Sequence, residues 1–469
     1  MTWLHLVLVY VVEHLTAIVI FVLAFLFFAR VLRDQDKAST SFAWILSIVL
    51  VPFLAIPAYL LFGGRKIAAL VRDKRPLSLR EDGAEATPVT DSECERMLIG
   101  SGLNPARPGN ESRFIADDAA MYEKLVCLID EAEHSISIVT FIFGTDEVGR
   151  DIARRLCAKA EAGVAVRVLV DALGSFKSRF GLLQQMERSG VEIGVFMRFL
   201  SLRRKWSANL RNHRKLALFD NEIALIGGFN LASEYIGPRK RDPVDVWIDT
   251  AMTVRGPLVA DMLRLFEADW QFARPGDHVP ALPVNTARVG NDVMQLVPSG
   301  PDVNGDPYYE AILSRLYRAH HRIWMVTPYF VPDEGVMRAL LIHARSGHDV
   351  RLCVPLRSNH WLADRARTRY LRRLLNSGAR VFFHPTRMIH AKHLLIDNDL
   401  AVSGSANFDL RSFYLNFEES VFVYEGAALD DLSAWFEQLF ASCTERELAE
   451  PDYVERWIED ISWLLSPLL

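Results

Sequence analysis

The 469-residue chain has little cysteine: five residues, Cys94, Cys127, Cys157, Cys353 and Cys443, with no CxxC pair and no His/Cys cluster at zinc spacing. That pattern excludes a disulfide framework and a structural zinc site, and it predicts isolated thiols in a reducing compartment. An excess of one charge is also missing. Lys and Arg number 53 against 58 Asp and Glu, for a net charge of -5, and the pI is near 6.2. A dedicated nucleic-acid binder is thereby disfavoured, although local basic patches could still bind anions. Low complexity is absent too: aromatics make up 10% and charged residues 24%, which excludes a largely disordered chain.

What the chain has in abundance is apolar sequence at its start. Leu4 to Phe28 is interrupted only by His5, Glu13, His14 and Thr16, and a second run follows from Phe42 to Phe62. Each reaches the roughly 20 residues that a helix needs to cross a ~30 Å hydrocarbon layer. Pro52 and Pro57 lie in the second run and are tolerated better there than in a soluble helix. No basic stretch precedes the first run, so a two-helix hairpin (residues 1–64, spans about 4–28 and 42–62) is expected rather than a cleaved leader. Arg30, Arg33 and Lys37 sit between the runs, and Arg65, Lys66, Arg72, Lys74 and Arg75 follow the second. This excess places the body on the cytoplasmic side of the membrane.

Residues 65–110 read as a charged, Gly- and Pro-containing linker. Beyond it the pattern becomes α/β. Ser135–Phe143 reads as a strand, Val148–Ala162 as a helix and Val164–Val170 as a strand; Arg322–Phe330, Gly335–Ser346 and Val350–Val354 repeat that order. The repeat extends to single residues. His134, Val139, Thr140 and Asp146 recur 187 positions later as His321, Val326, Thr327 and Asp333, and His213, Lys215, Asp220 and Asn230 recur 177 positions later as His390, Lys392, Asp397 and Asn407. So long a period means a duplicated domain (111–285 and 286–469) in a pseudo-twofold pair.

The repeated motif is HxKxxxxD followed by a glycine and an asparagine: His213, Lys215, Asp220, Gly228 and Asn230, then His390, Lys392, Asp397, Ser405 and Asn407. In a strand, residues i and i+2 share a face, so each His points the same way as its Lys. Two such faces meeting would gather two imidazoles, two ammonium groups and two carboxamides. That set suits a phosphodiester: cations and amides hold the non-bridging oxygens, one neutral His attacks phosphorus, and the other, protonated, donates to the leaving oxygen. No metal and no cofactor is required. Asp220 and Asp397 belong to the motif, but as turn residues they are expected to brace the hairpin.

The motif pair resembles that of the phospholipase D superfamily. The apolar hairpin and the stretches Asn212–Lys215 (NHRK), Thr327–Asp333 (TPYFVPD) and Gly404–Arg411 (GSANFDLR) extend the likeness to its bacterial cardiolipin synthases. The resemblance implies two α-β-α sandwich domains behind a transmembrane hairpin in the bacterial inner membrane. It makes His213 the nucleophile of a phosphatidyl-histidine intermediate and His390 the acid and then base, an order that the near-symmetry could reverse. Lys215, Lys392, Asn230 and Asn407 would bind phosphoryl oxygens. Asp249 and Glu418, each opening a strand about 30 residues past its motif, are candidates to orient the imidazoles. Where the second half has Ser405 the first has Gly228, so a hydroxyl contact is expected on one side only. The implied partners are anionic phospholipids, phosphatidylglycerol first, and the bilayer, with no nucleic acid; a hydrolytic phospholipase D would use the same residues.

Two basic clusters, Arg203 to Lys215 and Arg365 to Arg373, read either as solvated faces or as anchors for anionic head groups. The tail Tyr453 to Leu469, with Trp457 and Trp463, reads as an interfacial amphipathic helix or a helix capping the second domain.

Overall fold

A computed structural model describes residues 38–62, 86–197, 210–238, 246–276 and 285–465, together with isolated positions between 3 and 31 and at 74, 77, 79 and 80. The first apolar run lies outside the described residues except for such isolated positions. The second run is not one helix. Helices Ala38–Leu50 and Pro52–Phe62 meet at Val51, because Pro52 has no N–H and its ring clashes with the preceding turn. The two helices fold back on each other, bringing the rings of Trp44 and Tyr59 to 5.3 Å. At 1.5 Å per residue they are roughly 20 and 17 Å long. Among the described residues no helix is long and apolar enough to cross a membrane.

The body forms a unit of its own. The stretch expected as a linker contains the helix Glu93–Gly100, which buries Cys94, Leu98 and Ile99. Glu95 fixes the chain around this helix by accepting from the backbone N–H groups of Val89, Thr90 and Ala106.

The first half supplies strands β1 (Arg107–Ile115), β2 (Ser135–Thr140), β3 (Ala165–Asp171), β4 (Glu192–Phe196), β5 (Leu216–Phe219), β6 (Ile223–Gly227) and β7 (Ala251–Arg255). The second supplies β8 (Asp292–Ser299), β9 (Arg322–Val326), β10 (Phe330–Val331), β11 (Asp349–Pro355), β12 (Arg380–His384), β13 (His393–Ile396), β14 (Leu400–Gly404), β15 (Phe408–Asp409), β16 (Glu418–Glu425) and β17 (Thr444–Glu445). Fifteen of the described strands run in one sheet in the order β17-β12-β11-β9-β13-β14-β16-β8-β1-β7-β6-β5-β2-β3-β4. Read outward from the antiparallel β8–β1 junction, both halves follow the same sequence of elements, as a duplication requires.

The repeated residues outside the motif serve this framework. Asp146 and Asp333 cap helices Glu147–Glu161 and Glu334–Arg345 by accepting from the N–H groups of Gly149 and Val336. The Thr140 and Thr327 hydroxyls donate to the carbonyls of Ile142 and Tyr329 just past the ends of β2 and β9. Two thiols expected to be isolated are neighbours: Cys353 on β11 lies with its Sγ 3.4 Å from that of Cys443. Their separation of 90 positions hides this proximity in the sequence.

Candidate active site

The motif hairpins β5–β6 and β13–β14 place His213 and His390 just before their first strands. Each segment is held by the opposite half of the molecule. The His213 N–H donates to the Phe417 carbonyl at 2.8 Å and the Phe417 N–H to Arg211 at 2.9 Å; the His390 N–H donates to Ile248 at 2.7 Å and the Ile248 N–H to Met388 at 2.7 Å. These reciprocal bonds bring Glu418 and Asp249 into place. Nδ1 of His213 lies 3.0 Å from Glu418 Oε2, and Nδ1 of His390 lies 2.7 Å from Asp249 Oδ2. Both carboxylates therefore orient a histidine, but each serves the half to which it does not belong.

The two dyads differ in their surroundings. Glu418 also accepts from Ser405 Oγ at 2.6 Å, Ser412 Oγ at 2.9 Å and Asn416 Nδ2 at 3.2 Å. Burial opposes its ionisation, but His213, Lys215 and Ser405 outweigh burial and hold its carboxyl below the ordinary range. Asp249 accepts from the Thr250 N–H at 2.9 Å besides His390, and against its burial the charges of Lys392 and His390 likewise hold it low. Gly228 explains the asymmetry. A Cβ there would lie 2.5 Å from Asp249 Oδ1, so no serine fits opposite the shorter, closer carboxylate.

The lysines lie alongside. Lys215 Nζ donates to the His213 carbonyl at 2.6 Å, and Lys392 Nζ bonds the His390 carbonyl and lies 3.2 Å from His390 Nε2. Burial lowers both ammonium groups from the usual lysine range, Lys392 to about 7. Burial and the lysines lower both imidazoles, His390 to about 3. Glu418 Oε2 bonds both His213 of the first motif and Ser405 of the second, so the two motifs converge on one site. Asn230 Oδ1 accepts from the Ile142 N–H, and Asn407 Oδ1 is buried without a hydrogen-bond partner among the described residues.

Asp220 and Asp397 stand apart from this cluster, at the turns that end β5 and β13. Both have left-handed backbones (φ 52° and 51°). Asp220 accepts from the N–H groups of Glu133, His134 and Ser135, and Asp397 from those of His320, His321 and Arg322. They tie the hairpin to the strand beside it and do not reach the imidazoles.

Several residues escape the sequence reading. Glu419 accepts from the Lys215 N–H at 2.7 Å and is buried; only its adjacency to Glu418 could have flagged it. Arg214, which the sequence groups with a surface basic cluster, is fully buried. Its Nη1 pairs with Asp269 at 2.6 Å and its Nε donates to the Glu418 carbonyl at 3.1 Å, bracing the strand that aims at His213. Arg211 is likewise buried, 3.4 Å from Asp171; Arg203, Arg204 and Lys205 lie outside the described residues. Aromatic walls complete the site: Phe141 stands edge-on to His213, and Tyr235 and Trp247 flank His390.

Two copies of a domain model described as "Cardiolipin synthase, PLD-like domain" match residues 125–270 and 312–440, and a "Phospholipase_D-nuclease N-terminal" model matches 18–64. The chain belongs to the phospholipase D-like cardiolipin synthase family. A cardiolipin synthase of Listeria welshimeri is 31% identical over 96% of this chain and 98% of its own. Cardiolipin synthase 1 of Bacillus anthracis is 30% identical over 93% and 90%. The fold is also that of phosphatidylserine synthase from Haemophilus influenzae, with a TM-score of 0.60 at 14% identity over 81% of this chain and all of that one. Membership accounts for the duplicated sheet and the paired motifs together.

Proposed function

We propose that the protein is a membrane-bound phosphatidyltransferase that makes cardiolipin and glycerol from two phosphatidylglycerol molecules. The observation that carries this reading is the pair of imidazoles, each held through Nδ1 by a carboxylate of the other half and flanked by a lysine. Relatives named cardiolipin synthase, matched over nearly the whole chain, support the choice of lipid.

With Nδ1–H donated to Glu418, His213 keeps a lone pair on Nε2 for attack on the phosphorus of the first phosphatidylglycerol. The P–O bond to the head-group glycerol breaks as His390 delivers a proton to that oxygen, and glycerol departs. His390, now neutral, takes the proton of a hydroxyl on the second phosphatidylglycerol as its oxygen attacks the phosphatidyl-histidine. The P–N bond breaks and both imidazoles return to their starting state. Lys215, Lys392 and the two Asn carboxamides hold the non-bridging oxygens while charge grows on them. In the free site burial and the lysines favour neutral imidazoles. An arriving phosphodiester anion offsets the lysine charge, so the acid is loaded when substrate is present.

The two apolar runs, about 4–28 and 42–62, anchor the chain in the inner membrane with the body on the cytoplasmic side, the second run as two short helices that turn back at Val51 and not as a single span. The match over 18–64 supports such an anchor. Placing the site at a bilayer makes a lipid hydroxyl the abundant acceptor, and a dry pocket lets it outcompete water. The test is full-length protein in phosphatidylglycerol vesicles with products identified by mass spectrometry. Cardiolipin with equimolar glycerol is expected; phosphatidic acid in its place would assign water as the acceptor and overturn the transferase reading.

A further inference from the structure

The basic cluster in helix Trp361–Leu375 divides into two groups. Arg369 pairs with Asp460 and Arg372 with Glu459 on the helix Tyr453–Leu465, each at 3.0 Å. Arg365 turns elsewhere, into a cavity of about 520 Å³ between its own helix and the ends of β11 and β12, within the range of small-ligand clefts. Arg357, Arg367 and Arg446 also line it, and the single carboxylate there is Asp364. Four guanidinium groups thus face one carboxylate. Arg357, Arg365 and Arg446 make no side-chain hydrogen bond or ion pair with any described residue. Arg367 is buried, pairs through Nη2 with Asp364 at 3.0 Å and donates to the carbonyls of Pro355 and Leu356, yet its Nη1 is buried without an acceptor among the described residues. A buried guanidinium N–H with no acceptor is costly, and the planar guanidinium fork pairs with two oxygens of a phosphate.

We propose that this cavity is a second, non-catalytic site for the phosphate of an anionic phospholipid head group. The lipid, as opposed to a free anion, is indicated by the rim and by what packs beside it. Trp361, 62% exposed, stands at the mouth, and apolar side chains such as Leu371 and Phe383 line the wall. The helix Tyr453–Leu465 turns its acidic side to the arginine helix and leaves Tyr453, Trp457, Ile461 and Leu464 exposed. Those positions share one stripe of a 3.6-residue helix, and aromatic residues of this kind settle at a membrane–water interface. The Tyr329 hydroxyl donates to Asn359 and its ring abuts His360, the residue before Trp361. A lipid held there keeps the cleft at the bilayer surface.

The experiment uses the full-length protein and the triple variant Arg357→Ala, Arg365→Ala, Arg446→Ala, with Trp361→Ala as an independent second variant. None of these residues belongs to the catalytic cluster. Native mass spectrometry from detergent, titrated with dioleoyl phosphatidic acid, counts bound lipids, and turnover is measured on phosphatidylcholine–phosphatidylglycerol vesicles and on monomeric dihexanoyl phosphatidylglycerol. The triple variant is expected to hold one lipid fewer and to raise the apparent KM on vesicles at least tenfold. Its kcat on the monomeric substrate should stay at the wild-type value, a result that separates failure of this site from failure of the catalytic reading. Equal lipid counts and equal vesicle KM in wild type and both variants would overturn the proposal. Displacement of the extra lipid by millimolar inorganic phosphate would overturn the lipid assignment in favour of a free anion.

Discussion

Replacing Gly228 with alanine places a Cβ 2.5 Å from Asp249 Oδ1, where ordinary contact begins at 3.4 Å, so the carboxylate must give by about 0.9 Å. A displacement of that size along its bond to His390, now 2.7 Å, stretches the separation to about 3.6 Å, beyond a hydrogen bond. A charge-assisted hydrogen bond contributes about 1.5–3 kcal/mol, so kcat should fall roughly 10- to 150-fold. Overpacking costs about 1–3 kcal/mol of stability, which a melting curve reads separately from turnover. Ser405→Ala is the control. The matching position already carries a Cβ, and the variant loses only the Oγ bonds around Glu418 and Glu419, a change worth about 1 kcal/mol and less than tenfold in rate. Gly228→Ala retaining more than half of wild-type kcat would refute the claim that Asp249 must stand where it does to hold His390.

Four further outcomes are expected. His213→Ala and His390→Ala should each abolish phosphatidyl transfer while far-UV circular dichroism and melting remain native, and substantial turnover in both would sink the paired-histidine chemistry. Lys392, lowered by burial to about 7, loses its charge as pH rises through that value. The basic limb of kcat/KM should therefore fall near pH 7 and that of kcat higher, where bound phosphodiester restores the ammonium form; a flat kcat/KM between roughly pH 6 and 9 would contradict this. Asp397→Ala should cost about 1–3 kcal/mol in urea unfolding by leaving three backbone N–H groups without their acceptor, with turnover per folded molecule unchanged. Lys215 and Lys392 supply the positive charge beside the two imidazoles, so EDTA should leave turnover intact; loss restored by a divalent cation would count against the cationic mechanism.

Much of this architecture is legible in the sequence because duplication writes it twice. The pairs at offsets 187 and 177 locate the βαβ units and the motif hairpins, and helices Glu147–Glu161 and Glu334–Arg345 begin and end within one residue of the periodicity's reading. Elements that depend on distant packing are not legible. The helix Glu93–Gly100 lies in a stretch whose charge reads as linker, and it is fixed by long-range burial and by Glu95. The bend at Val51 follows from Pro52, but the folding back of Trp44 on Tyr59 does not.

At the site the division is sharper. The pairing of His213 with Lys215 and of His390 with Lys392 is local, two residues apart in each motif, and the sequence by itself determined it, although the pairs stand just ahead of β5 and β13 and not within them. Asp220 and Asp397 are equally local, since a short acidic side chain in a left-handed turn reaches neighbouring backbone N–H groups. Which carboxylate serves which imidazole was decided only by tertiary structure. Glu418 meets His213 across 205 residues and Asp249 meets His390 across 141. The exchange exists because the segment before each motif strand hydrogen-bonds to the other half. A pairing that two domains make by docking leaves no periodicity in either one.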